Sequence, residues 1–205
     1  MKVRGRPQSI NDEVILDAAL KAFAEKGYKS VSLRTLSVQL GLSHSAIGQR
    51  FGSKKNLFEC AVTAGFEQFF SEIAAEQAKA TKPLSGLEEL RSAIHAFLVV
   101  SSNHPEMGRL LSTEGVETSE RMSFFEKTVL TPQLGQLAAL IKKLIEQDLI
   151  YPVSVRGLFF LIGHGAEAPF TLTAFSESFD QFDGKLNNGE HIAMMTDLLM
   201  RGITK

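Results

Sequence analysis

The sequence predicts an all-α protein of about nine helices. Apolar residues recur at helical spacing in most segments of the 205-residue chain, and no segment shows the sustained alternation of a half-buried strand. Serine, glycine and proline stand at the intervals where helices begin and end. Hydrophobic residues make up 44% of the chain, which suits an ordinary packed core and excludes a disordered protein.

Four helices are predicted in the first eighty residues. A serine that can cap a helix precedes each of the last three, and a glycine follows the first two. The fourth helix carries a long apolar stripe. The predicted bounds are residues 11–26 with Gly27 just beyond, a short stretch from Ser32 to Gly41, another from Ser43 to about Phe51, and a long one from Ser53 to residue 79.

Five further helices are predicted after Pro83. Pro132 should kink or restart the helix in which it lies, because proline has no amide hydrogen to donate. The segment 153–175 is apolar all round, so it should be buried on more than one side. The predicted helices are residues 84–103, 106–114, 119–147, 153–175 and 190–201, with a polar loop at 176–189.

Charge is distributed unevenly along a chain whose net charge is −1. Residues 1–58 contain ten Lys or Arg and four Asp or Glu, whereas the remainder is acidic. A basic head on an acidic body suggests a polyanion partner, although chance clustering of solvated charges gives the same pattern. Arg4 and Arg6 lie in a basic arm, residues 1–9, that we expect to contact such a partner.

Several classes of protein are excluded by the composition. No apolar run approaches the roughly 18 residues of a membrane span, and no apolar stretch follows the basic N-terminus as in a secretory signal. The single cysteine, Cys60, cannot form an intrachain disulfide. We therefore expect a cytoplasmic protein with no membrane partner.

The sequence contains no motif that indicates an enzyme or a metal site. No phosphate-binding loop, nucleophile elbow, zinc-protease motif or paired cysteine motif is present, so we expect no enzyme and no cofactor. The four histidines of the body show no metal-ligand spacing, and we expect no metal site. They are His95, His104, His164 and His191.

The segment 31–57 has the pattern of a helix-turn-helix. Leu36 and Leu40 give the first short helix an apolar face, Gly41 takes the turn, and Leu42 fills the corner. Ile47 and Phe51 form the inward face of the second helix. A plain helical hairpin with a polar surface would share this spacing, so the outward face decides between the two interpretations.

That outward face offers small, polar and basic side chains, as a recognition helix in the major groove requires. Gln49 suits an adenine edge, and Arg50 suits guanine or a phosphate. Lys54 stands at the start of the next helix, where free backbone amides favour phosphate. The predicted DNA-binding residues are Arg4, Arg6, Ser32, Arg34, Ser43, His44, Ser45, Gly48, Gln49, Arg50 and Lys54.

These features resemble the TetR (tetracycline-repressor) family of regulators. The resemblance lies in the opening segment ILDAALKAFAEKGYKSVSL and in LRTLSVQLGLSHSAIGQRFGSKKNLF, and in detail it covers about the first sixty residues. It implies a sequence-specific DNA-binding regulator, with a DNA-binding domain at residues 1–52 and a helical effector and dimerisation domain at 53–205. A helical adaptor that binds a protein partner through its N-terminal domain is the alternative.

Two positions depart from the family pattern. Gly48 stands where the family usually has a tyrosine that touches the DNA backbone, and Arg50 stands where a histidine is common. The glycine lowers helix propensity by about 1 kcal/mol relative to alanine, but it allows closer approach to the duplex. Arg50 is our candidate to replace the lost phosphate contact.

The resemblance also implies a homodimer on a palindromic operator, released by a small effector and acting by default as a repressor. The two last predicted helices would form a four-helix interface. Our candidates for this interface are Leu158, Phe159, Ile162, Ala166, Ile192, Met195 and Leu199. Phenylalanine and methionine make adaptable apolar walls, so the candidates for the effector site are Phe97, Met107, Phe124, Phe125 and His164.

Overall fold

The computed structural model describes residues 10–80 and 83–205. The predicted basic arm, with Arg4 and Arg6, lies outside the described residues. Within them the chain is helical and forms no strand, apart from an isolated bridge between Ile150 and Thr204. The all-α prediction is confirmed.

Thirteen α-helical segments and two π-helical turns make up this part of the chain. They are α1 (Asp12–Ser30), α2 (Leu33–Gln39), α3 (Ala46–Phe51), α4 (Lys54–Gln77), α5 (Leu87–Asn103), α6 (Pro105–Glu114), α7 (Glu120–Phe125), π1 (Glu126–Leu130), α8 (Thr131–Glu146), α9 (Val155–Phe160), π2 (Leu161–Ala166), α10 (Ala168–Thr171), α11 (Thr173–Glu177), α12 (Asp180–Asp183) and α13 (Asn188–Ile203).

The ends of the first four helices follow local rules. Gly27 has a φ of 73° and interrupts α1 where the sequence predicts its end. The side chain of Ser32 accepts a hydrogen bond from the amide of Thr35, and that of Ser53 accepts one from the amide of Asn56, so both predicted caps form. Ser43 does not cap α3, because the helix begins later, at Ala46.

The later helices are more broken than the sequence predicts. The helix does not end at Pro132, because the wide turn π1 continues directly into α8, in whose first turn Pro132 lies. Pro132 has no amide hydrogen to donate, and it stands where the hydrogen-bond pattern changes from π to α. The predicted helix 153–175 contains a second wide turn, π2, and breaks at Leu172, whose φ and ψ are −104° and 52°. The predicted loop 176–189 is wrong in part, because α12 and the start of α13 lie within it.

Two apolar cores hold these helices together. The first joins α1–α4 to α6, α7 and π1 around Phe23, Phe58 and Phe125, all with no exposed surface. The second joins α5 to α8–α10 and α13, and Phe97 packs against both cores. None of the described helices combines the length and apolar character needed to cross a bilayer.

Candidate DNA-binding surface

A buried serine connects the two short helices of the predicted helix-turn-helix. Ser37 has no exposed surface, and its hydroxyl donates to the carbonyl of Leu33 at 2.9 Å. The same hydroxyl oxygen accepts from the amide of Ile47 at 3.4 Å. Because this amide belongs to the first turn of α3, Ser37 fixes the position of α3 against α2. The sequence pattern did not single out this residue.

The turn between α2 and α3 has the geometry that the sequence predicts. Gly41 adopts a φ of 69°, a conformation that residues with a Cβ rarely adopt. The amide of Leu42 donates to the carbonyl of Ser37 at 2.8 Å, and its half-buried side chain packs on the first core. With Leu36, Ile47 and Phe51 buried behind it, this turn presents a rigid polar surface to solvent.

The exposed side of this unit carries several of the residues predicted to bind DNA. Gln49 is exposed on α3, whereas Ser43, His44 and Ser45 are exposed in the segment that leads into it. Ser43, His44 and Ser45 therefore lie just before the N-terminal end of α3, which is the end of a recognition helix that enters the major groove, and Gln49 lies in the second half of the helix.

Arg34 of α2 and His44 form a pair on this surface. Nε of Arg34 donates to Nδ1 of His44 at 3.4 Å, and both residues are exposed. A guanidinium can only donate, so Nδ1 must be unprotonated and the proton of a neutral His44 lies on Nε2. The pair therefore presents N–H donors to acceptors such as guanine O6 and N7.

Arg50 is engaged within the protein. Its Nη1 donates to the carbonyl of Ile10 at 2.6 Å and to the carboxylate of Asp12 at 3.2 Å. These bonds tie the C-terminal end of α3 to the start of α1. In this arrangement Arg50 supports the position of α3, and its predicted role as a replacement phosphate ligand stays a prediction.

Gly48 leaves open space on α3. A Cβ built at this position would meet no atom within 4 Å, so packing within the protein does not require a glycine there. The residue is half-buried on the same helix as the exposed Gln49. This space favours the close approach to DNA that the sequence suggests.

The start of α4 combines a capped helix end with a lysine. Nζ of Lys54 donates to the carbonyl of Lys29 at 3.0 Å and lies 4.7 Å from the centre of the Tyr28 ring. Burial lowers the pKa of Lys54, and the nearby positive charge of Arg121 lowers it further. A phosphate here would meet a positioned cation and the amides of a helix N-terminus.

The C-terminal part of the chain touches this corner of the DNA-binding unit. The guanidinium carbon of Arg121 lies 4.4 Å from the centre of the Tyr28 ring, and its Nε donates to the buried carboxylate of Glu114 at 2.7 Å. Lys55 pairs with Glu120 at 2.8 Å. The contacts of Arg121 with Tyr28 and of Lys55 with Glu120 join α7 to α1 and α4. The sequence did not predict these two contacts, because their partners lie 65 or more positions apart.

Four of the five predicted effector residues, Phe97, Met107, Phe124 and Phe125, belong to the first core or pack against it, whereas His164 lies apart from them. Phe125 is fully buried, with ring centres 6.0 Å from Phe58 and 5.7 Å from Phe66, and Met107 lies in the same core. His164 is exposed and stacks on Phe160 at 5.0 Å.

The remaining effector candidates are half-buried, and Phe97 packs edge-on against Phe69 at 5.8 Å. A cleft of about 710 Å³ lies elsewhere, along α10–α13, lined among others by Leu172, Phe175, His191 and Met194. No cluster that could hold a metal ion occurs in the described ranges.

Most of the residues predicted for the dimer interface are buried within the protomer. Leu158, Ile162, Ala166, Ile192 and Leu199 belong to the second core, and Met195 packs against it. Phe159 is half-buried outside that core. Because the helix 153–175 is apolar all round, its periodicity cannot tell which side faces inward. The exposed apolar side chains of the same helices form what we term the C-terminal apolar surface: Phe160, Leu161, Leu172, Met194 and Leu198.

The helix-turn-helix of this chain has an exposed polar face and packs on a larger helical body. These are the features of helix-turn-helix DNA-binding proteins. Residues 15–61 match the family described as bacterial regulatory proteins, tetR family. An uncharacterized HTH-type transcriptional regulator, YezE of Bacillus subtilis, is 32% identical over 63 residues, which are 31% of this chain and 32% of that protein. The matched segment thus spans about a third of that relative.

The whole chain shares its fold with solved regulators. The ketosteroid transcriptional regulator KstR2 of Mycobacterium tuberculosis matches 98% of this chain and 100% of its own, with a TM-score of 0.67 and 17% identity. The fatty acid degradation regulator FadR of Bacillus halodurans matches 93% and 98%, with a TM-score of 0.66 and 18% identity. A putative fatty acid metabolism regulator of Clostridium perfringens matches 93% and 98%, with a TM-score of 0.71 and 16% identity.

The N-terminal segment of this chain is thus similar to the tetR family of bacterial regulatory proteins over residues 15–61, and the chain as a whole shares the fold of these solved structures.

Proposed function

We propose that this chain is a transcriptional regulator of the tetR family and that it binds a palindromic operator as a two-fold homodimer. The observation that carries the proposal is the exposed polar face of α2 and α3, held rigid from behind by Ser37 and the first core. Arg34 and His44 offer donors to guanine, Gln49 offers a bidentate partner to adenine, and Lys54 with the start of α4 offers a phosphate contact.

A dimer follows from the geometry of a duplex. One recognition helix reads a single half-site, and a second must reach the next exposure of the major groove about 34 Å away. The C-terminal apolar surface supports such pairing, because a monomer would leave its large side chains in water. A two-fold axis would bring the same patch of both copies together.

We further propose that the protein is a repressor, and that binding of a small apolar or amphipathic effector causes it to dissociate from the operator. Phe97, Met107, Phe124 and Phe125 line or adjoin the packed interior near α6 and α7. An effector that enters between them would act on the helices that contact α1 and α4. Proteins of this fold that are named as ketosteroid and fatty acid degradation regulators suggest ligands of this chemistry.

The test begins with selection of a bound sequence from a random DNA pool, followed by fluorescence anisotropy over a range of salt concentrations. Gln49→Ala should relax discrimination at one base pair by about 1–3 kcal/mol. Lys54→Ala should weaken binding to all sequences and reduce the salt slope by about one unit.

Lys79→Ala, at an exposed lysine just beyond the C-terminal end of α4, is the matched control and should leave both quantities unchanged. No binding to any sequence at low salt would refute the proposal. It would leave the protein adaptor, whose apolar contacts should survive high salt, as the remaining interpretation.

A further inference from the structure

Glu167 is a buried carboxyl between two helices of the body. It directly follows π2, where its amide donates to the carbonyl of Ile162 at 2.9 Å, five residues back. The residue is 3% exposed, and its side chain forms no hydrogen bond or ion pair with any residue that the structure describes. A buried acid without a partner is costly when ionised, and π-turns occur frequently at functional sites.

The carboxyl of Glu167 lies directly against the backbone of α6. A Cβ on Gly108 would stand 2.1 Å from Oε1 of Glu167 and 2.8 Å from the Cγ2 atom of Thr171. Only a glycine fits at this position without displacing its neighbours. The carboxyl of Glu167 and the methyl group of Thr171 therefore both pack against α6 at Gly108.

The charged groups on the neighbouring elements have other partners. On α6, the side chain of Arg109 donates to the carbonyl of Pro105, Glu106 lies 3.5 Å from His104, and Glu114 accepts from Arg121. On π2, His164 stacks on Phe160 and lies 3.5 Å from Ser112, whereas His191 of α13 bonds to the carbonyl of Ala166. None of these groups neutralises Glu167.

Burial raises the pKa of Glu167 from its ordinary value to about 7. The folded protein therefore retains a proton on this group at pH values where an exposed glutamate has lost it. Ionisation of Glu167 in the folded state places a negative charge against the backbone of Gly108. Contact with water would stabilise this charge.

The helix that carries Gly108 also packs on the DNA-binding unit. Met107 and Leu110 of α6 lie in the first core with Ile15, Ala19 and other buried residues of α1. A displacement of α6 away from α10 must therefore disturb the packing of α1, behind the helix-turn-helix.

We propose that Glu167 is a proton-controlled contact that couples α6 to the DNA-binding unit. The neutral carboxyl holds α6 against α10 in the DNA-binding state, and the ionised carboxylate separates the two helices and weakens DNA binding. The DNA-binding half of this inference rests on the proposed function. The movement of α6 does not, and it can be measured without DNA.

Hydrogen exchange of α6 in the free protein tests the movement. At pH 8 the amides of residues 106–114 should exchange at least about fivefold faster in the wild type than in Glu167→Gln, and at pH 5.5 the two should agree. Comparison at equal pH removes the intrinsic pH dependence of exchange. Glu177→Gln, which removes the same charge from an exposed site on α11, should behave as the wild type.

DNA affinity tests the coupling. The ratio of wild-type to Glu167→Gln affinity should fall at least about fivefold between pH 5.5 and pH 7.5 and then stay level. Equal exchange of α6 in the two proteins at pH 8, or an affinity ratio that does not change with pH, would overturn the inference. Absence of DNA binding at every pH would refute the proposed function instead, and the exchange measurement would still decide the movement of α6.

Discussion

The first seventy described residues and the last fifty differ in how completely they bury their apolar side chains. In α1–α4 only Val14 and Val38 are large apolar residues with substantial exposure, each near 50%. Between residues 151 and 198 ten such residues are exposed, and Phe182 reaches 76%. The DNA-binding unit is thus complete within one protomer, whereas α9–α13 lack a cover for their outer face.

This difference indicates a division of work between the two regions. A recognition surface needs a rigid support, which the aromatic contacts among Phe23, Tyr28 and Phe58 supply behind the helix-turn-helix. A dimerisation surface needs exposed apolar side chains that a partner can bury, and the C-terminal apolar surface supplies them. Each region should therefore lose its function when its own kind of contact is removed.

The largest effect is expected from Phe58→Ala. This ring is fully buried among three other aromatic rings, so its loss should lower the free energy of unfolding by about 3–5 kcal/mol. Phe182→Ala is the matched change in the other region and should cost the isolated protomer less than about 0.5 kcal/mol. Denaturant unfolding at low protein concentration measures both, and similar losses would remove the distinction between the regions.

The double change Leu161→Glu and Leu198→Glu should separate the dimer. Two charges per protomer would be buried in the apolar interface, so the dimer should dissociate at least about a hundredfold more readily. Sedimentation equilibrium measures the effect. Val116→Glu, at a valine that is 80% exposed outside this surface, is the control. A double variant that remained as dimeric as the wild type would place the interface elsewhere.

Glu167→Gln should stabilise the protein at neutral and higher pH. The raised pKa means that the native state binds more protons than the unfolded state between about 4.5 and 7, so wild-type stability falls as pH rises through that window. At pH 8 the variant should exceed the wild type by about 1–3 kcal/mol, and near pH 4.5 the difference should vanish. Thermal unfolding at both pH values measures this, and parallel pH profiles would contradict it.

Ser37→Ala should have the smallest of these effects, about 1 kcal/mol of stability, because one buried amide loses its partner. Its consequence for DNA binding should be a loss of specificity, since α3 is no longer fixed to α2. Ser71→Ala, at an exposed position on α4, should change neither stability nor specificity.

Local sequence rules predicted the first region well. The glycine at position 27 and the serine caps at 32 and 53 act on neighbours within four residues, so their effect is visible in the sequence. The bonds of Arg50 were not predictable in this way, because its partners lie 38 and 40 positions earlier in the chain. Which residues a distant helix offers depends on the packing of the whole fold.

The second region was predicted less well for a different reason. In the segment 153–175 nearly every side of the helix is apolar, so the periodicity could not show which side faces the core. Leu158, Ile162 and Ala166, which we predicted for the interface, are buried within the protomer. The wide turn π2 shifts the register within the same segment. Burial of Glu167 also depends on the glycine at position 108, nearly sixty residues away.

The two regions should act together, because α2 and α3 recognise DNA while the C-terminal apolar surface holds the two protomers together. The most direct test measures affinity for the selected operator before and after five base pairs are inserted between its half-sites. Because this insertion turns one half-site to the opposite side of the duplex, we expect affinity to fall at least about a hundredfold. Unchanged affinity would show that each helix-turn-helix binds independently and would contradict the account.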